Sequence, residues 1–396
     1  MNTAILNADV QAFIIKNLNT NPAEIALKKT PFAAITIKEL AQQIDCRKRC
    51  EKKLPLWFNT TGIYYPEKIN IEQASSQITA AYKASLIKGL NVVDASGGFG
   101  VDTYYFAQQA KAVTHCELGT TLSQIAKHNL TLLGCPNVDF FAGDSLQFIK
   151  KNNKKIDTLF IDPSRRNTAG KVFKFADCEP NLAQNLPFYL QKADRIIVKA
   201  APMLDITFGL NELKNVSAIH IVSVKNECKE LLYIIDKDFT GVPNLVCVLL
   251  SPSQAPVLVC AKLGNEKNTP LSYCKIKQYL YEPDAAILKA GLFKTVCKLF
   301  DVGKLNPNSH LYTATILIPN FPGRILKIES VTAYSVFEKQ NKKHHANVVC
   351  RNFNLQPEKI KKKFKIGNSD TQFLYFTTDN LDQKIVIMCK KVEINN

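Results

Sequence analysis

The stretch LNVVDASGGFGVDTYYFA, residues 90–107, constrains this chain more than any other part of it. An apolar run reaches Asp94, three glycines follow at Gly97, Gly98 and Gly100, and a helix opens near Asp102. A strand that ends in a glycine turn and runs into a helix is the first βα unit of a doubly wound sheet. There the ligand lies beyond the carboxyl ends of the strands, where the strand order reverses. Glycines at that point let the backbone approach a ligand closely. The downstream sequence repeats the pattern. Strand-like runs occupy 90–95, 112–117, 138–142, 156–162, 194–200 and 217–224, separated by helical stretches. ELLYII, LVCVLL and VLVCAKL then follow in close succession. The alternation predicts an α/β fold with a mostly parallel sheet that finishes in an antiparallel edge.

The flanks differ. Residues 1–70 read as a helical N-terminal region, with starts at Asn7 or Asp9 and at Asn21-Pro22, and a third helix over ITIKELAQQIDCRKRCEKK. A further helix, INIEQASSQITAAYKASLIKG, leads into the sheet domain, which is expected to span 71–263. After a polar link come two small α+β segments, 271–322 and 323–396. The first contains the amphipathic run PDAAILKAGLFKTVCKLF, which predicts one helix from Pro283, and the second a helix over 356–364.

The acids around the glycine turn define the ligand. Glu117 ends the second strand, 23 residues after Asp94, where a carboxylate accepts both hydroxyl hydrogens of a ribose. Asp144 closes FFAGD one strand further on, placed to accept from an adenine amino group. The spacing is not G-x-G-x-x-G, and no G-x-x-x-x-G-K-[ST] occurs, so the dinucleotide and P-loop signatures are both absent. A ring of acids is a poor phosphate cradle. It suits a cationic nucleoside without phosphate, which describes S-adenosylmethionine, and it predicts a cofactor site of Asp94, Gly97, Gly98, Gly100, Asp102, Glu117 and Asp144.

At these motifs the chain resembles the class I S-adenosylmethionine-dependent methyltransferases. VVDASGGFG matches their first motif, the acid of HCELG their second and AGDS their third. Residues 92–162 most resemble the trimethylguanosine synthase group of RNA methyltransferases. EQASSQITAAYKASL, VKNECKELL and CRNFNLQPEKIKKKFKIGN with FLYFTT resemble a bacterial family that joins a methyltransferase domain to small ferredoxin-like and THUMP-like domains. YEPDAAILKAGL would open the ferredoxin-like part. The resemblance implies a Rossmann-like methyltransferase domain with S-adenosyl-L-methionine as its cofactor.

It also implies that the residues after the fourth strand, FIDPSRRNTAG, face the methyl group. The form that holds a flipped base carries a stacking aromatic there. This chain instead has Asp162, Pro163, Ser164 and Arg165, with Arg166 next. The Asp-Pro-x-Arg order resembles uridine C5-methyltransferases, but their cysteine nucleophile follows the fifth strand, and here that segment reads VKAAPM. Ribose 2′-O-methyltransferases of the heat-shock RNA methyltransferase type use Lys, Asp, Lys and Glu, which Lys83, Asp162, Lys199 and Glu230 could supply. Asp162, Pro163, Arg165 and Lys199 are the expected catalytic residues.

Charge points to the partner. Lys and Arg number 51 against 34 Asp and Glu, a net charge of +17. Between Arg324 and Lys365 eleven cations face three acids, with Tyr334, Phe337, Phe353 and Phe364 interleaved. Such a segment binds phosphate backbone, and RNA, ribosomal or transfer, is the expected partner. A methyltransferase acting on a protein or small molecule, and a catalytically silent RNA-binding module, are the alternatives. The twelve cysteines form no C-x-x-C pair, so no metal site is expected. Cys247, Cys260 and Cys389 read as small buried hydrophobes. No apolar run approaches the roughly 18 residues of a membrane span, and a cytoplasmic location is expected.

Overall fold

The computed structural model describes residues 1–165, 175, 178–271, 273–340 and 343–393, with Ser164, Arg165 and Glu179 described in their backbone alone. The chain forms two compact units, one of Met1–Ala218 with Leu231–Gly241, the other of Ile219–Glu230 with Val242–Asn396.

The first unit begins with helices α1 (Ala8–Lys16), α2 (Pro22–Ala26), α3 (Ile37–Lys53) and α4 (Pro55–Asn59). Thr36 and Glu39 start α3 with a reciprocal capping box. Its Cys46 and Cys50 are buried, and burial pushes both thiols up to about 12, which makes them packing groups, not nucleophiles. The helix expected to lead into the sheet is two, α5 (Lys68–Gln73) and α6 (Gln77–Ala84). Ser76 ends the first by capping the second through the Thr79 N–H, and the break frees Ser75 for the site described below.

Then comes the alternation: β1 (Asn91–Asp94), α7 (Val101–Ala107), β2 (Ala112–Glu117), α8 (Thr120–Leu132), β3 (Val138–Ala142), α9 (Ser145–Lys151) and β4 (Ile156–Ile161). A short bridge of β5 (Ser164–Arg165) with β6 (Cys178–Glu179) precedes α10 (Leu182–Lys192), β7 (Ala193–Ala200) and α11 (Ile206–Glu212). β8 (Val216–Val224) and β9 (Glu227–Asp236) follow. Within the first unit the sheet order is β3-β2-β1-β4-β7-β9, parallel except for the last strand. The chain winds outward from β1 to β3 and then crosses to β4, so the reversal falls between β1 and β4, and this unit is a Rossmann-like α/β domain. Burial of β4 and β7 is nearly continuous, as parallel strands covered on both faces require. Asn129 of α8 exchanges two 2.9 Å hydrogen bonds with the backbone of Tyr64, and Gln43 of α3 clasps Tyr65 likewise. These clasps fix the helical N-terminal region to the sheet's flank and set Trp57 against Phe99 and Tyr104, beside the glycine turn.

In the second unit β10 (Asn244–Ser251) and β11 (Gln254–Lys262) pair antiparallel. Cys247 is buried, but Cys260 is exposed, because outward positions of β11 have no layer over them. After α12 (Asn265–Asn268) and β12 (Tyr279–Pro283), the single amphipathic helix expected from Pro283 is broken into α13 (Ala285–Ala290) and α14 (Phe293–Phe300) by Gly291, which ends α13 at φ 70°. β13 (Gly303–Lys304), β14 (Tyr312–Ala314), β15 (Gly323–Ala333), α15 (Tyr334–Phe337), β16 (Asn347–Cys350), α16 (Pro357–Phe364), β17 (Gln372–Thr378) and β18 (Lys384–Lys391) complete the chain. Their sheet runs β13-β14-β12-β15-β18-β17-β16. Alternate residues of β17 feed two cores on its two faces. Phe373 and Tyr375 pack with Leu280 and Leu326 on one, Leu374 and Phe376 with Ile360 of α16 on the other.

Candidate functional site

The carboxyl ends of β1, β2, β4 and β7 bring the sequence-predicted residues together. Asp94 is fully buried at the end of β1. It accepts from the Thr103 hydroxyl at 2.6 Å and the Ser96 N–H at 3.1 Å. Burial pushes its carboxyl up to about 7, the charges of Asp102 and Asp162 add to the rise, and the Thr103 and Ser96 bonds hold it back. The turn then passes over β2: the Gly97 N–H donates to the Cys116 carbonyl at 2.8 Å. A Cβ at Gly97 would lie 2.3 Å from the ring of His115, so only glycine fits. That imidazole is buried, and burial pushes its pKa down to about 4 against the smaller opposing effect of the Gly97 and Gly98 backbone, so it is neutral. Gly100 starts α7 at φ 84°, a conformation glycine adopts without strain.

Glu117 is held by backbone. The Gly98 N–H donates to Oε2 at 2.9 Å and the Gly119 N–H to Oε1 at 2.8 Å. Two donors fix the carboxylate and leave lone pairs on both oxygens for a diol. Leu118 beside it is 71% exposed, an apolar shelf next to a polar anchor. Asp144 is exposed and caps α9, accepting from the Leu146 N–H at 2.9 Å. The chemistry of the donor set suits a cationic nucleoside: Glu117 and Asp144 offer carboxylate lone pairs around the glycine turn, and a Cβ on Gly98 would meet nothing nearer than 3.8 Å.

Asp102 lies in the first turn of α7 and faces a buried cation. The Lys83 ammonium, wholly inaccessible, is 3.2 Å from Asp102 Oδ1 and donates to Ser75 Oγ at 2.8 Å, while the Ser75 hydroxyl donates to Asp102 Oδ2 at 2.7 Å.

The acceptor side follows from register. β4 and β7 pair Ile161 with Val198, so the next residues, Asp162 and Lys199, meet: Lys199 Nζ donates to Asp162 Oδ2 at 2.5 Å. The Asp162 N–H donates to Ser96 Oγ at 2.7 Å, tying this end of β4 to the glycine turn. Pro163 is buried next to it. Arg165 pairs by backbone with Cys178, and Arg166 lies outside the described residues. Of the four residues considered for ribose chemistry, Asp162 and Lys199 are in contact, Lys83 pairs with Asp102, and Glu230 belongs to the second unit. The sequence reading missed Ser75, Ser96, Thr103 and His115. Ser96 sits inside the glycine motif, but its role depends on a residue 66 positions away. Among the described residues no cluster of His, Cys, Asp or Glu is placed to hold a metal, and no helix is long and apolar enough to cross a membrane.

The raised carboxyl of Asp94 has a sign that can be measured. Between about pH 4 and 7 the folded chain keeps a proton on Asp94 that the unfolded chain has released, so this group's contribution to stability is lost as pH rises through that window. Asp94→Asn is therefore expected to raise the melting temperature of the ligand-free protein relative to wild type more at about pH 8 than at about pH 5. An equal shift at both values would show that ionisation of Asp94 is not linked to folding.

Comparison with known proteins bears on both units. Residues 279–322 match a ferredoxin-like domain family and residues 323–391 a THUMP domain-like family. A solved structure from Porphyromonas gingivalis W83, designated a candidate methyltransferase, is 28% identical with a TM-score of 0.87 and covers 98% of each chain. An uncharacterized S-adenosylmethionine-dependent methyltransferase of Mycobacterium tuberculosis is 22% identical over 254 residues. That match takes in 64% of this chain and 66% of the relative's length. An uncharacterized RNA methyltransferase of Mycoplasma mobile is 33% identical over 76 residues, 19% of this chain and 21% of that one. The likeness to the Porphyromonas structure runs the length of the chain, so the Rossmann-like α/β domain with small C-terminal α+β modules is a fold the two proteins share.

Proposed function

We propose that this chain is an S-adenosylmethionine-dependent methyltransferase that modifies a nucleotide in structured RNA, ribosomal or transfer. The observation that carries the reading is the link through Ser96. It joins the acid-lined glycine turn to the Asp162–Lys199 pair, so a methyl donor seated on the turn and an acceptor seated on the pair are neighbours. S-adenosylmethionine supplies an electrophilic methyl group. The chain supplies the rest. Glu117 holds the ribose hydroxyls, Asp144 accepts from the adenine amino group, Asp94 fixes the glycine turn through Thr103 and Ser96, and Asp102 carries a carboxylate beside the cationic end. Asp162 orients the acceptor. The name of the Mycobacterium relative and the whole-chain likeness to the Porphyromonas structure support the activity. The THUMP-like match, the Mycoplasma relative's name and the basic C-terminal segment support RNA. The direct test compares modified nucleosides, by mass spectrometry, in RNA from cells with and without the chain. No missing methylated nucleoside in any RNA class overturns the RNA reading. The pairing of Lys199 with Asp162 fits a ribose 2′-hydroxyl as acceptor, since a weak nucleophile needs a base for its proton and the Asp162 carboxylate, held in place by the Lys199 ammonium, can take it.

We assign residues 71–263 to cofactor binding and chemistry, and residues 323–396 to holding RNA. Deleting 324–396 would strip β15 from its partner β12 and unravel the sheet, so substitution is the cleaner test. On α16, Lys363 is paired with Glu338, while Lys359 and Lys362 make no ion pair among the described residues. Changing Lys359, Lys361 and Lys362 to Gln is expected to leave cofactor affinity unchanged. It should also flatten the salt dependence of RNA binding, by about 0.7–0.9 in log–log slope for each phosphate that is no longer neutralised. An unchanged slope would mean that α16 is only a solvated surface.

A further inference from the structure

One face of the second unit's sheet carries a charge cluster unused by the chemistry above. Glu282 of β12 is 2% exposed and accepts from four donors. Arg324 Nη1 and the Tyr375 hydroxyl (2.8 Å) bind Oε2, and Arg351 Nε (2.9 Å) and Nη2 (2.7 Å) bind Oε1. One arginine and the tyrosine would satisfy this carboxylate. Two arginines leave a surplus positive charge, and both stay partly open, with side chains 30% and 40% exposed. Arg324 Nε and Nη2 and Arg351 Nη1 have no acceptor among the described residues. The Arg324 plane is fixed over the Phe373 ring at 4.9 Å.

The loop beside Arg351 is also incomplete. The Asn352 side-chain amide donates to Asn306 Oδ1 at 3.2 Å and to Thr378 Oγ1 at 2.6 Å, which binds the 304–311 loop to the chain after β16. In that loop His310 stands at φ 51°, a strained conformation for a non-glycine residue, with its ring stacked on Phe293 at 3.8 Å. Its Nδ1 is buried and has no hydrogen-bond partner among the described residues. The Arg351 charge reaches the His310 imidazole, so this loop lies within electrostatic range of the arginine pair.

We propose that Arg324 and Arg351, clamped side by side on the buried carboxylate of Glu282, form a phosphate-binding fork that grips the RNA backbone. Guanidinium N–H pairs match phosphate oxygens geometrically, and a carboxylate that fixes both planes removes the ordering cost of the two long side chains. The fork lies on the face of β17 that presents Tyr375 and Phe373, opposite the face that packs α16, so it is a second grip independent of the lysine helix. The proposal rests on the RNA reading for its ligand and on the geometry for its chemistry.

The test uses the full chain. Arg351→Gln leaves Glu282 paired with Arg324 and Tyr375, and Arg351→Lys keeps the charge but loses the planar fork, which covers the case of a variant that fails to fold. Arg351→Gln is expected to weaken RNA binding about 10-fold at moderate salt and to lower the salt slope by about 1. Arg351→Lys is expected to keep the slope while recovering only part of the affinity. If wild type binds RNA and both variants match it in affinity and slope, the fork is structural cement and the proposal falls while the RNA reading stands. If wild type binds no RNA, the RNA reading falls, and inorganic pyrophosphate decides the site. Shifts of the Arg351 Nε–H and His310 imidazole NMR signals that are lost in Arg351→Gln support a phosphate fork. Their absence in wild type overturns it.

Discussion

Asp162→Ala removes methyl transfer and leaves S-adenosylmethionine affinity within a few-fold of wild type. The expectation follows from where the carboxylate stands. Its backbone N–H is fixed to Ser96 in the glycine turn, and its Oδ2 is bound by Lys199 from the next strand, so the group is positioned from the strands on both sides of β4. A positioned acid–base group contributes roughly 10²–10⁴-fold to a rate. The loss belongs in the chemical step, because Glu117 and Asp144, proposed to hold the ribose and the adenine, lie at the end of β2 and at the start of α9.

Lys199 then separates two chemistries. For a ribose hydroxyl, Lys199→Ala should cost a comparable factor in single-turnover rate with little change in RNA affinity. For a base nitrogen, whose lone pair needs no prior deprotonation, the same change should appear mainly as weaker RNA binding. A fully active Lys199→Ala enzyme removes the ribose reading. A fully active Asp162→Ala enzyme places the active site elsewhere.

What the sequence revealed and what it hid divide along a physical line. The glycine turn and its acids were legible because each depends on local chain geometry: a strand end, a turn only glycine fits, and acids at the ends of successive strands. The register that sets Asp162 against Lys199 was legible only as a resemblance, since pairing of β4 with β7 is a property of the folded sheet. Ser75 was hidden inside what read as one continuous helix. The break after Gln73 follows from the Ser76 cap, a local signal, but the use made of Ser75 depends on Lys83 and Asp102. His115 gave no signal at all, because its role is to fill the space that Gly97 leaves. In the second unit, Glu282, Arg324 and Arg351 lie up to 69 positions apart, and only the sheet order gathers them.

Lys83 carries the largest expected effect on stability. Its ammonium has no access to water; it donates to Ser75 and pairs with Asp102, which also accepts from the Ser75 hydroxyl, under the start of α7. Removing one partner of a buried pair leaves the other charge uncompensated, and such changes cost about 3–5 kcal/mol. Lys83→Met, close in volume, should therefore destabilise the first unit strongly in urea. Adding Asp102→Asn removes the stranded charge and keeps an acceptor for the Ser75 hydroxyl, so the double variant should recover most of the stability. Cofactor affinity should not recover with it, because Asp102 also shapes the negative field at the cationic end of the ligand. The two readouts part the roles. A single variant as stable as wild type would mean that the pair contributes nothing to folding. A double variant that recovers both stability and S-adenosylmethionine affinity would make Asp102 a structural counter-ion for Lys83 and take it out of the cofactor site.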